Sequence, residues 1–162
     1  MYKIRILIII MATMFFLCPV EAQAHTYVDC ETPIEIQIAA NKYGEQYNIA
    51  PELIEAICYR ESRYQEDACN GSCKGLMQIN ESFHKTRMQE LEISDIFDID
   101  SNIHVGADYL AELFDEYEDV GVVLAAYHGE KKGIENAKKG KLSKYTQAIL
   151  EKSEELERLH GK

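Results

Sequence analysis

Apolar residues recur along the chain at helical spacing, and polar residues mark where each run stops. Ile34, Ile38 and Tyr43 define one face of a helix over 34–47, which Gly44 weakens and Asn48 can end. Pro51 suits a helix's first turn, and Leu53, Ile54, Ile57 and Cys58 follow it as an apolar stripe. Residues 67–75 (DACNGSCKG) contain two glycines and no periodicity, and predict a loop. The stretch from Met77 to Met88 predicts short helical pieces. Asp100, Ser101 or Asn102 can cap a long helix in which Ile103, Ala107, Leu110, Phe114 and Tyr117 recur. Asp119 can cap the next helix, Val120 to Tyr127, which is apolar almost all round and so predicts a buried central helix. Lys138 to Lys141 (KKGK) reads as an exposed basic turn. Tyr145, Ala148, Ile149, Leu156 and Leu159 mark a final helix with a polar tail. With no alternating strand pattern and no internal repeat, the expected class is all-α or mostly α.

The N-terminus has a different pattern. Lys3 and Arg5 precede an apolar run from Ile6 to Leu17, and Ala22-Gln23-Ala24 follows. That is the layout of a secretory signal peptide over residues 1–24, with cleavage expected before His25. The run is shorter than the roughly 20 apolar residues a bilayer requires, so no stable membrane insertion is expected after cleavage. The expected location is outside the cell or in its envelope, with residues 25–162 as the working domain. This domain keeps Cys30, Cys58, Cys69 and Cys73. An even cysteine number in a secreted chain suggests two disulfides, with the pairing left open. A zinc site is disfavoured because only Cys69 and Cys73 are close in sequence.

Composition narrows the function. The 162 residues suit one domain, and 46% hydrophobic with 28% charged residues is ordinary globular usage. Seventeen basic against 28 acidic residues give a net charge of −11, which repels phosphate backbones and argues against a nucleic-acid partner. No Walker-type or GxGxxG string is present, and no cofactor is implied. Asp98, Asp100 and Asn102 alternate like a calcium loop, but Ile103 and Tyr109 stand where that loop needs Gly and Glu. No pair of histidines has ligand spacing, so no metal is implied.

One residue stands out from its stripe. Continuing from Ile54 through Ile57 and Cys58 reaches Glu61, on the buried face at the helix's C-terminal end. Burial disfavours a charged carboxylate, and the negative end of the helix dipole acts the same way. A glutamate held protonated can serve as a general acid, as glycosidases require. The competing reading is a terminal glutamate that bends out to water.

Glu61-Ser62, then GLMQI at Gly75 to Ile79, then Asn102-Ile103 with Gly106, Tyr109 and Leu110, then Ala125-Ala126-Tyr127, occur in the order and spacing of the soluble lytic transglycosylases. From about residue 35 to 155 the chain resembles a catalytic domain of that family, which implies a lysozyme-like fold. The resemblance implies that Glu61 is the single catalytic acid/base and that Ser62 is the hydroxyl residue beside it. It implies further that Met77, Gln78 and Tyr127 line the sugar groove. The implied substrate is peptidoglycan, cut at the β-1,4 bond from N-acetylmuramic acid to N-acetylglucosamine. Leu76 is expected in the core, Gly75 in a tight turn, and Asn102 as a helix cap rather than a sugar ligand.

The chain departs from the family pattern in places. His128 stands where the family commonly has an asparagine that helps hold substrate. Asn70 stands where a groove serine is often found, in a loop one residue shorter than usual. Lys141 and Lys144 surround a position that is often acidic. Hydrolases of such bonds usually employ two carboxylates. Glu66 and Asp67 lie among polar loop residues, and Glu81 is expected to face water. The expected product therefore ends in a 1,6-anhydro sugar. A muramidase on the same bond and a non-catalytic cell-wall-binding protein are the alternatives. By analogy alone, a domain this small suits a secretion, conjugation or phage assembly.

Overall fold

The computed structural model describes residues 32–162. The expected signal peptide and Cys30 lie outside the described residues. The elements run α1 (Ile34–Tyr47), α2 (Pro51–Ser62), β1 (Cys69–Asn70), β2 (Cys73–Lys74), β3 (Ile79–Asn80), α3 (Lys85–Glu90), α4 (Ile99–Glu116), α5 (Val120–Tyr127), α6 (Lys131–Ala137) and α7 (Lys144–Leu159). The class is the helical one expected. The additions are α6 and a small antiparallel sheet in the order β1-β2-β3, with β1 and β2 where a loop was expected and β3 where short helical pieces were expected. No helix among the described residues is long and apolar enough to cross a membrane.

Local chemistry fixes the helix ends. Asn48 closes α1 in the left-handed conformation. Pro51 opens α2 at a position where its missing N–H costs nothing. Asp119 caps α5 by accepting from the Val122 N–H at 2.9 Å, and Ser143 caps α7 through the Thr146 N–H at 3.2 Å. The cap of α4 is Asp98, which accepts from Ser101, and not one of the three residues after Ile99.

α2 is enclosed by α1 and α7, so Glu52 through Cys58 are buried on every side. α5 is likewise buried from Gly121 to Ala125, against α4, α6 and α7. In α1 the expected face holds at Tyr43 and fails at the two isoleucines. Ile34 and Ile38 point outward, while Ile36, Ala39, Ala40 and Tyr43 enter the core. Both sets obey helical spacing, and only the neighbouring helices decide which one is covered.

Asn102 is not a cap. It lies in the second turn of α4, fully buried, and pins the segment before β3 to that helix. Its Oδ1 accepts from Met77 N–H at 2.8 Å, and its Nδ2 donates to the carbonyls of Ile96 at 2.7 Å and Lys74 at 3.0 Å. Gly75 turns here with φ +72°, and a Cβ on it would overlap the Asn102 amide. Gly106, one turn along α4, lets the Met77 thioether lie flush on the helix.

The expected disulfides are not met among the described residues, where Cys58, Cys69 and Cys73 are free thiols. Strand pairing explains part of this. Cys69 lies opposite Lys74 and Cys73 opposite Asn70, so the two sulfurs leave the ribbon on opposite faces. Cys58 is sealed in the core, where burial pushes its thiol pKa far up.

Candidate active site

Glu61 occupies the last turn of α2, half-buried, where the apolar stripe ends. The Tyr145 hydroxyl, 84 residues away on the first turn of α7, donates a short hydrogen bond to its Oε1. Burial, reinforced by the Glu61 charge, drives the Tyr145 phenol far above its ordinary pKa. Tyr145 is therefore a permanent donor to this carboxylate. The Arg60 guanidinium lies over the same ring, 5.3 Å from its centroid.

The His128 imidazole stacks on the Tyr145 ring, with centroids 3.9 Å apart and planes 18° apart. Its Nε2 lies 3.4 Å from a Glu130 carboxylate oxygen. Tyr127, the residue before it, donates from its hydroxyl to the Met77 carbonyl at 2.8 Å. Burial keeps that phenol protonated. The end of α5 is thus tied to the segment before β3 on one side and to α7 on the other.

Along the end of α5 runs a groove of about 430 Å³, which Glu61 does not line and which is linked to it through His128 and Tyr145. Gln78, Tyr127 and His128 line it, together with Cys73, Asn80, Phe83, His84, Tyr109 and Glu112. Gln78 is held in the left-handed conformation at φ 51°, and its amide donates to the carbonyls of Gly75 at 2.9 Å and Ala68 at 3.2 Å. Two larger surface depressions lie elsewhere, on α1 beside Asp95–Asp100 and at the α1–α2 turn. Neither touches Glu61 or any residue expected to bind sugar.

The remaining expected site residues are placed differently. Met77 is fully buried against Gly106, outside the groove lining, and meets the site only as the carbonyl that accepts from Tyr127. Ser62 is buried, and its hydroxyl donates back to the Cys58 carbonyl at 3.0 Å. Asn70 is exposed on β1, outside the groove lining. Tyr145, Phe83, His84 and Glu112 were not singled out from the sequence. Tyr145 was visible only as one more apolar position of the last helix. Among the described residues no group of three or more His, Cys, Asp or Glu side chains is placed to hold a metal ion.

Residues 38–150 match the model of the Transglycosylase SLT domain. The chain belongs to that family. Protein IpgF of Shigella flexneri is 32% identical over 117 residues, covering 67% of this chain and 74% of that protein. The transglycosylase of Enterobacteria phage PRD1 is 35% identical over 85 residues, which is 52% of this chain but 31% of the phage protein. The membrane-bound lytic murein transglycosylase F of Desulfosudis oleivorans is 31% identical over 86 residues, only 17% of its length. This SLT domain therefore spans a third or less of the last two proteins. An inactive mutant of the lytic transglycosylase Slt from Pseudomonas aeruginosa shares the fold, with a TM-score of 0.55 at 20% identity. That match covers 75% of this chain and 21% of the larger one.

Proposed function

We propose that this SLT domain is a lytic transglycosylase of peptidoglycan, with Glu61 as its acid and then its base. The observation that carries the reading is the half-buried Glu61 carboxylate, held by a phenol that stays protonated and on whose ring stacks His128, which lines the groove with Gln78 and Tyr127. Glu61 gives its proton to the glycosidic oxygen as the C1–O bond breaks. The substrate's N-acetyl group stabilises the positive charge at C1. The carboxylate then accepts the proton of the sugar's 6-hydroxyl as that oxygen bonds to C1, and no water is consumed. Tyr145 stabilises the carboxylate in the interval between the two transfers.

The other carboxylates support a single-acid scheme. Glu81 is ion-paired with Lys74, and Glu112 with Arg87. Glu66 and Asp67 line the depression on α1, away from the groove. Glu130 is engaged with His128, and a hydrolase would need one of these carboxylates as its second group. Residues 1–24 act in this reading as a cleaved secretion signal that delivers the domain to the envelope. The similarity to a phage transglycosylase suits local wall opening for a larger assembly.

Mass analysis of products released from purified cell walls tests the reading. The new ends are expected to be 1,6-anhydro sugars, lighter by one water than hydrolysed ends. Products of full water mass would identify a muramidase. Binding to walls without release of fragments would identify a non-catalytic protein.

A further inference from the structure

The groove extends well past the residues the sequence marks, and its far end carries an unusual side chain. Phe83 is 85% exposed, by far the most exposed large apolar residue among those described. Leaving such a ring in water forgoes the burial that usually holds a phenylalanine inside. Its position is fixed by its own turn. The Asn80 side chain accepts from the Ser82 N–H at 3.1 Å, and the Asn80 carbonyl accepts from the Phe83 N–H at 3.0 Å. Asn80 is in turn held by Ser72, at 2.8 Å. The ring is presented rather than left loose.

Phe83 also ends a series of rings that begins at Glu61. Tyr145 bonds Glu61, and His128 stacks on Tyr145. Tyr127 follows His128 in the chain, Tyr109 lies 5.5 Å from Tyr127, and His84 lies 4.7 Å from Tyr109. Phe83 adjoins His84 on the same groove. Polar groups are interleaved with the rings, among them Gln78, Asn80 and Glu112. A pyranose has the matching character, with apolar C–H faces and a polar rim of hydroxyl and amide groups. A membrane-facing patch or a protein-docking patch would show several apolar side chains together, whereas Phe83 is a single ring among polar neighbours.

Resting on the reading of this groove as a glycan cleft, we propose that Phe83 is a stacking platform for an N-acetylated hexopyranose distant from the bond that is cut. It makes the domain select long glycan strands over short fragments. A phenyl ring has no hydroxyl or N–H to read a substituent, so the platform senses the sugar's apolar face and tolerates either sugar of an alternating strand.

The test uses the full chain carrying Glu61→Gln, so that bound glycan is not consumed. Calorimetry compares an N-acetylglucosamine dimer with a hexamer, with Phe83 intact and with Phe83→Ala. With Phe83 intact, the hexamer is expected to bind more tightly than the dimer. Phe83→Ala is expected to weaken hexamer binding about tenfold and to remove most of that difference. Phe83→Trp is expected to restore it. Hexamer affinity unchanged by Phe83→Ala would overturn the platform while leaving the cleft reading intact. Absence of binding by either oligomer would overturn the platform, and wall digestion by the unmodified chain then decides whether the cleft reading falls with it.

Discussion

Both ends of α2 carry carboxylates turned toward the interior, and their surroundings differ. Near its start, Glu52 and Glu55 are sealed between α2 and the C-terminal end of α7. Glu52 is matched there. His160 Nδ1 lies 2.8 Å and Lys162 Nζ 2.7 Å from its Oε1. Burial pushes its pKa up, but those two partners outweigh it and the net shift is downward. Glu55 is fully buried, and burial raises its pKa against the opposing Thr32 side chain. At the other end Glu61 is only half-buried and bonded by a neutral phenol, on whose ring stacks the groove residue His128. Glu55 is the most deeply buried of the three, yet no substrate can reach it. Burial alone does not mark a catalytic acid. A carboxylate is placed to work when it is part-buried, held by a donor that stays neutral, and open on one side to a ligand.

The sharpest way to break this comparison is to neutralise each glutamate separately. Glu61→Gln keeps the shape but cannot cycle a proton, and wall lysis is expected to fall by at least about 10²-fold with the fold intact. Glu55→Gln is expected to leave lysis near that of the unmodified chain. Zymography of both purified variants decides it. Equal loss in the two would show that α2 integrity, not the groove end, limits activity.

The frame that sets the groove against Glu61 is next in size. Asn102→Ala removes three hydrogen bonds, two of them buried, and takes from the Met77 N–H its buried acceptor. Stability is expected to drop by about 3 kcal/mol in urea melts, at roughly 1–3 kcal/mol for an unsatisfied buried group. Asn102→Asp keeps the acceptor for Met77 but sets a carboxylate against two carbonyls, and is expected to be no better. A loss within experimental error in Asn102→Ala would mean that the ribbon is held by something else.

The sealed end of α2 makes an opposite pair of predictions with pH. The Glu52 folded pKa lies below its ordinary 4.5. Its stabilisation is therefore present above pH 4.5 and is lost as pH falls through the folded value. The Glu55 folded pKa lies above 4.5. Its charge therefore costs stability at neutral pH, and that cost vanishes below pH 4.5. Glu52→Gln is expected to destabilise and Glu55→Gln to stabilise at pH 7, each by about 1–2 kcal/mol. Both differences shrink toward pH 3. Thermal melts across that range check the signs, and differences of the same sign at pH 7 would contradict the assignment of matched and unmatched carboxylates.

The smallest effect concerns His128. His128→Asn restores the residue common in the family but removes the ring stacked on Tyr145. A few-fold change in turnover is expected, with Glu61 still competent. A loss as large as that of Glu61→Gln would promote His128 from a groove residue to part of the proton-transfer apparatus.

Much of this domain can be read from the order of its residues, because helices are specified locally. Pro51, Asp119 and Asn48 satisfy or close backbone groups within one turn of themselves, and each acts where the pattern predicts. Glu61 is legible because the α2 stripe extends to it, and the GLMQ and AAY strings place Gln78 and Tyr127. What escaped depends on neighbours distant in sequence. Which stripe of α1 faces inward follows from where α2 and α4 lie, since Ile34/Ile38 and Ile36/Ala40 are equally periodic. Asn102 reads as a cap by residue type, but the Met77 segment arriving over Gly75 and Gly106 makes it a buried clamp. The phenol on Glu61 comes from α7, and no local rule links residues 61 and 145. Glu55 lies among buried neighbours that a stripe-based reading counts as a polar face, because α7 covers it. The sequence by itself determined the helices, their ends and the candidate acid, since these rest on hydrogen bonds and spacing within a few residues. Only the tertiary structure decided which carboxylate meets a groove, which is sealed away, and which ring waits at the groove's far end, because burial and access are properties of elements packed together.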